Sequence, residues 1–268
     1  MRTARTPKGI QVVYWARGAG PLGVIFQHGW ASVGAHYDAL REHLPEEGRT
    51  FVTLDLAGHG SSSDAADAHS VESYSAQLLA VADAVGFERF VTVGHSMGAK
   101  FCQYLRIIAP QRLIGQVALA PTPASATRQA ANEGEIEQFA SLAGNPAALA
   151  QVLSRIVTRP VAPEVLQKWV ANAARISKDV LAASMRAYSR EDFAARLPRS
   201  APPTLVIAGN QDPIYPSNSV LEHTRRETPG AVFRSFDCGH DPPNELPREV
   251  ALLIDGFLAG LNAGTTSK

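Results

Sequence analysis

The chain has 268 residues, 45% of them hydrophobic and 19% charged, which is enough apolar material for one large domain core and excludes a mostly disordered chain. Its 25 Lys+Arg balance 25 Asp+Glu, so no global field draws it to nucleic acid or to an anionic membrane, and its two cysteines, Cys102 and Cys238, exclude a disulfide-dense scaffold and a Cys-rich metal cluster. No run of about 18 apolar residues predicts a membrane span, and the basic stretch Met1 to Lys8 lacks the apolar segment of a signal peptide, so the default expectation is a cytoplasmic protein.

In chain order, Ile10 to Ala16 predicts a strand forming an N-terminal hairpin with the stretch after Gly18-Ala19-Gly20, a turn signal. Val24-Ile25-Phe26 predicts a strand before Gln27-His28-Gly29, and Phe51 to Leu54 another before Asp55. Val71, Tyr74, Leu78, Leu79, Val81, Ala82 and Val85 recur at a spacing of three and four, which predicts a helix that starts at Ser70 and stops at Gly86. Phe90 to Val93 predicts the next strand, Met97 to Ala109 a helix ended by Pro110, and Gln116 to Ala120 a strand before Pro121. From about Pro121 to Pro198 only helical patterns occur: Glu135 to Ala143, Pro146 to Thr158, Pro163 to Ala174 and Ser177 to Ala187. Strands return at Leu205 to Ala208 and Val232 to Phe236, and a last helix carries Val250, Leu252, Leu253, Phe257 and Leu258. Gly264 to Lys268 reads as a frayed tail. The strand runs are nearly continuously apolar, as in strands covered on both faces. Alternating with helices, they predict an α/β fold with a mainly parallel, doubly wound sheet and a helical insertion over its strand ends.

The chemistry concentrates in Val93-Gly94-His95-Ser96-Met97-Gly98, a G-x-S-x-G pattern between a strand and a helix. The glycines let a strand turn sharply into a helix, and the turn leaves Ser96 strained and exposed above a helix N-terminus that favours negative charge. A serine hydroxyl is a poor nucleophile without a base, and a histidine base needs an acid to orient it. His240, in Asp237-Cys238-Gly239-His240-Asp241, follows the last strand, and Asp212, in Gly209-Asn210-Gln211-Asp212-Pro213, follows the one before. Strand ends of a parallel sheet share one edge, so the three residues can meet there. Asp237 and Asp241 compete with Asp212, but both lie close to His240 in sequence. Negative charge developing on a carbonyl oxygen calls for backbone donors, and the N–H groups of Met97 and Trp30 are the candidates.

Together these pieces resemble the α/β-hydrolase superfamily: His28-Gly29-Trp30, the loop Asp55 to Ser61, the Gly94 to Gly98 turn, Asp212 and His240, in the order Ser, Asp, His. The His-Gly-Trp and Ser-Met pairing is similar to that of bacterial arylesterases and cofactor-free perhydrolases. The resemblance implies an eight-stranded sheet, with residues 1–121 and 199–268 as core and 122–198 as a helical cap after the sixth strand. It implies Ser96 as nucleophile, His240 as general acid/base, Asp212 as its orienter, and an oxyanion hole from Trp30 and Met97. The implied activity is hydrolysis of a small carboxylic ester, with lactone, thioester, amide or C–C bond cleavage and perhydrolysis open on the same residues. The rival of another class is a non-catalytic small-ligand receptor on this scaffold. Phe139, Leu142, Leu153, Ile156, Trp169 and Met185 of the insertion either pack the cap or line a pocket, and Ile214 and Tyr215 border the acid. Trp30, Phe139, Trp169 and Ile214 are the candidate substrate contacts.

The remaining histidines carry structural expectations. His59 braces the site, His95 packs beneath the nucleophile, and His36, His43, His69 and His223 fall on surface elements. No His/Asp cluster has metal-ligand spacing and no glycine-rich dinucleotide or phosphate loop occurs, so neither metal nor cofactor is expected. The expected partner is a small ester-like molecule, with no nucleic acid and no membrane, for a monomer or homodimer.

Overall fold

The computed structural model describes residues 1–127 and 132–263, so the expected frayed tail at Gly264 to Lys268 lies outside the described residues. The elements run β1 (Arg2–Arg5), β2 (Gln11–Gly18), β3 (Leu22–Gln27), α1 (Asp38–Arg41), β4 (Arg49–Leu54), α2 (Val71–Val85), β5 (Phe90–His95), α3 (Met97–Ile108) and β6 (Leu113–Leu119). Four helices follow: α4 (Glu133–Ala140), α5 (Pro146–Ile156), α6 (Pro163–Ala173) and α7 (Lys178–Arg190). The chain closes with β7 (Thr204–Gly209), α8 (Ser217–Glu227), β8 (Val232–Phe236), α9 (Pro242–Glu245) and α10 (Pro247–Ala263). One eight-stranded sheet has the order β1-β2-β4-β3-β5-β6-β7-β8, antiparallel at β1 and β2 and parallel from β4 onward.

Every residue of β3, β4, β5 and β7 is buried, which explains why these strands read as continuous apolar runs. One face packs Ile25, Val52 and Leu54 against Leu78 and Val81 of α2 and Phe101 and Leu105 of α3. The other packs Val24, Val93 and Ile207 against Leu40 of α1 and Val250, Ile254 and Leu258 of α10. Helix α2 begins where Ser70 Oγ accepts the Ser73 N–H and ends at Gly86 with φ 85°, as its caps predict. No helix among the described residues is long and apolar enough to cross a membrane.

Two expectations are corrected. The hairpin partner of β2 is β1, with Ala4 opposite Val12, and its other neighbour is β4. The strand after Gly20 lies beyond β4, because β3 pairs in parallel with both β4 and β5. The run Val232 to Phe236 is not covered on both faces: β8 is an edge strand, and Val232 is 45% exposed. Helix α8 gave no apolar periodicity because its inward face is mostly polar, with His223, Thr224 and Glu227 buried beside Val220.

Candidate active site

The site grows from the carboxyl edge of the parallel strands. Ser96 stands between β5 and α3 at φ 51° and ψ −120°, a conformation that costs a non-glycine residue on the order of 1–3 kcal/mol. Its N–H donates to Leu119 O (2.9 Å) and its carbonyl accepts from Ala99 N (3.0 Å), so β6 and the first turn of α3 hold the strain in place. Gly98 is required by close approach: a Cβ there would lie 2.3 Å from Gln27 O and 2.5 Å from His28 O, at the end of β3.

The structure brings the three sequence candidates into one hydrogen-bonded line. Ser96 Oγ is 2.9 Å from His240 Nε2, and His240 Nδ1 is 2.7 Å from Asp212 Oδ2. Asp212 Oδ1 accepts from the N–H groups of Ile214 (2.7 Å) and Tyr215 (2.9 Å), which fixes the carboxylate from behind. Asp212 and His240 are buried and Ser96 is half-buried. An ionised carboxylate only accepts, so the proton between it and the ring sits on Nδ1, and the Nε2 lone pair faces the serine hydroxyl. That arrangement can take a proton from the hydroxyl. The rival acids lie elsewhere: Asp237 is exposed and bonded to Asn210, and Asp241 is bonded to His36.

Gly29 abuts this line, since a Cβ on it would lie 3.4 Å from Ser96 Cβ. Among the described residues the Trp30 and Met97 N–H groups donate to no other group. The Trp30 indole donates to Leu181 O (2.9 Å) and meets Phe139 edge-on at 6.1 Å. Ile214 packs with Val206, Ala208 and Tyr215, next to Asp212. The Trp169 indole donates to Ala31 O (3.0 Å) and its ring meets His36 at 4.7 Å.

Sequence reasoning missed the groups that hold the histidine loop. The Glu245 carboxylate accepts from Gly239 N, Thr158 N and Arg159 N (2.8 Å each) and from Asp241 N (3.0 Å), tying that loop to the chain just after α5. The one signal for it is an acid in the first turn of a short helix just after His240. His95 Nε2 donates to His240 O (2.7 Å) and its ring stacks on His36 at 5.3 Å. The surface expectation for His36 and His223 is overturned, since both are buried. Three separate segments place His36, His95 and Asp241 with side-chain donor atoms within 4.8 Å of one another, a grouping that spacing along the chain does not reveal. His36 Nε2 donates to Asp241 Oδ1 (2.9 Å) and Asn244 Nδ2 to Asp241 Oδ2 (3.0 Å). Burial alone would raise the Asp241 carboxyl, but the adjacent His36 holds it below the usual carboxylate range. Burial also pushes the Cys102 and Cys238 thiols up to about 12, so neither is a reactive thiolate.

Four buried histidines resist protonation because burial disfavours the charged ring. His59 and His223 fall to about 4 and His95 to about 3, and His28 also lies well below its ordinary value. The unfolded chain takes up protons at these positions near pH 6.5 while the folded chain does not. Their stabilisation is therefore complete above about pH 6.5 and is lost as pH falls toward 4, at up to about 1.4 kcal/mol per pH unit for each ring. Asp55 and Glu191, raised by burial, oppose this nearer the carboxylate range. Thermal unfolding from pH 8 to pH 4.5 should show the melting temperature dropping steeply below pH 6.5; a flat profile to pH 5 would refute the neutral assignment.

The chain matches the family described as alpha/beta hydrolase fold over residues 24–243. It is 28% identical to a dihydrolipoyllysine-residue acetyltransferase component of the acetoin cleaving system of Cupriavidus necator, across 94% of this chain and 67% of that protein. It is 25% identical to a bifunctional esterase/perhydrolase of Acinetobacter calcoaceticus, across 79% of this chain and 82% of that one. In structure it resembles a thermophilic esterase from Thermogutta terrifontis, with a TM-score of 0.83 at 23% identity over 97% of this chain and 98% of the other.

Proposed function

The chain belongs to the alpha/beta-hydrolase fold family, and from that premise we propose that it is a serine hydrolase cleaving a small carboxylic ester through an acyl-enzyme. The observation that carries this reading is the unbroken line Ser96 Oγ, His240, Asp212 at the ends of three strands. His240 Nε2 takes the Ser96 proton as Oγ attacks the acyl carbon, and the imidazolium formed is stabilised by Asp212. The Trp30 and Met97 N–H groups, free of other acceptors among the described residues, stabilise the oxyanion. His240 protonates the leaving alcohol, then activates the water that releases the acid. Residues 122–198 act as a cap on the core of 1–121 and 199–268. Trp30, Phe139 and Ile214 border the substrate, whereas the contacts of Trp169 point to a packing role. A second reading, perhydrolysis, is favoured by the esterase/perhydrolase relative and needs only peroxide in place of water at the acyl-enzyme.

The non-catalytic receptor is disfavoured because no member of the line is missing. A fluorophosphonate probe decides between the two. The enzyme reading expects one adduct, on Ser96, formed in step with loss of p-nitrophenyl acetate hydrolysis. Protein that stays unlabelled and inactive across a panel of esters, lactones and thioesters would reject it.

A further inference from the structure

His240 is held by its main chain as well as by its ring. Its N–H donates to Ile156 O (2.7 Å) at the end of α5, and its carbonyl accepts from His95 Nε2 (2.7 Å), one residue before Ser96. The helical segment 122–198 and the core therefore grip one residue at its two ends. Glu245, 6% exposed, completes this seam. Its Oε2 accepts from Gly239 N, Thr158 N and Arg159 N (2.8 Å each), and its Oε1 from Asp241 N (3.0 Å). Two of these donors flank His240 in sequence, and the other two follow α5. All four are main-chain N–H groups, which only donate, so a carboxylate is the acceptor that suits them. An amide of the same shape offers one oxygen and turns N–H groups toward a remaining donor.

The seam leaves no room for a side chain. A Cβ on Gly239 would lie 2.4 Å from Ile156 O and 3.0 Å from both Thr158 N and Glu245 Oε1. Gly239 does not have positive φ, so the contact and not the backbone conformation calls for glycine here. The acid loop closes on the other side. Gln211 N donates to Cys238 O (3.0 Å), and a Cβ on Gly209 would lie 2.0 Å from Gly239 O. The end of α5, the histidine loop and the loop of Asp212 thus meet main chain against main chain. A shift of one is passed to the next, because close-packed backbone has no side chain to absorb it.

We propose that Glu245 is a positioning residue for His240, a role that rests on the ester-hydrolase reading. Through Glu245 the end of α5 sets where the imidazole stands between Ser96 Oγ at 2.9 Å and Asp212 Oδ2 at 2.7 Å. Proton transfer depends on those distances, and a misplacement of about 1 Å costs on the order of 10²-fold in rate. The stretch from Ile156 to Arg159 therefore takes part in the geometry of the reaction and is more than a cover over it.

Kinetics on folded protein separate positioning from bulk stability. Glu245→Gln should lower kcat for p-nitrophenyl acetate by about 30- to 100-fold, with KM within about threefold, and slow fluorophosphonate labelling in the same ratio. Glu245→Asp, which keeps the acceptor, should recover part of that loss. Gly239→Ala keeps the carboxylate but forces Ile156 O off the loop, and should cost a similar factor. The double variant Gly239→Ala/Glu245→Gln should be little worse than the worse single one, since both open the same seam. Gly239→Ala decides the matter should Glu245→Gln fail to fold. Val81→Ala, a buried change in α2, is the control: its melting temperature should fall while kcat stays within about twofold. Parental kcat and labelling rate in folded Glu245→Gln and Gly239→Ala, with only the melting temperature reduced, would overturn this role and leave the ester reading standing. A parent chain that is neither labelled nor active would overturn that reading, and this role with it.

Discussion

Ser96→Ala is expected to lower turnover of a chromogenic acyl ester by roughly 10⁴- to 10⁶-fold and to abolish fluorophosphonate labelling. The substitution keeps the Cβ and with it the conformation at φ 51°, so it isolates the hydroxyl. Folding should be little changed, because among the described residues Oγ has one partner, His240 Nε2, at a half-buried position. Ser96→Gly should be equally inactive but more stable by about 1 kcal/mol, since glycine adopts positive φ without strain. The pair of variants distinguishes a functional strain from a structural one: paired loss of activity with a raised melting temperature for the glycine form is the expected result. Full activity of the alanine form would move the nucleophile elsewhere.

The elements that were legible in the sequence are those whose information is local. The buried strands announce themselves because both faces need apolar side chains, and α2 because Ser70 and Gly86 supply its caps. The line Ser96, His240, Asp212 was legible for a topological reason: residues after parallel strands arrive at one edge whatever the intervening sequence. What was not legible depends on packing between distant segments. The placement of β2 beside β4 follows from the strand order, which no spacing encodes. His36 looked like a surface histidine because its partner, Asp241, lies more than 200 positions away. Glu245 is an acid in the first turn of a short helix, yet it accepts four backbone N–H groups from two segments. Trp169 shows what spacing leaves out as well: an aromatic in the helical insertion suggests substrate contact, and only the fold shows its indole bonded to the chain at Ala31.

Asp212→Asn tests the part of the site that geometry argues most closely. The two side chains are isosteric, and the amide oxygen can still accept from Ile214 N and Tyr215 N, so the loop and the fold should be retained. The amide nitrogen then faces His240 Nδ1, where the carboxylate oxygen stood at 2.7 Å. Two donors cannot face each other, so the ring must turn its lone pair to Nδ1 and carry its proton on Nε2. Nε2 now presents a hydrogen to Ser96 Oγ in place of a lone pair, and the base is lost while every heavy atom keeps its position. The expected outcome is a fall in kcat of about 10⁴-fold with KM and melting temperature nearly unchanged. Asp212→Ala should lose activity as well but also stability, because it removes the carboxylate that accepts from the Ile214 and Tyr215 N–H groups. Asp237→Asn is the control, as this exposed side chain contacts Asn210 and not the imidazole, and its kcat should stay within about twofold of the parent. A large loss for Asp237→Asn with little for Asp212→Asn would reassign the acid. The graded outcome, activity lost with stability kept for asparagine and both lost for alanine, is what a residue that sets the tautomer of its neighbour must produce.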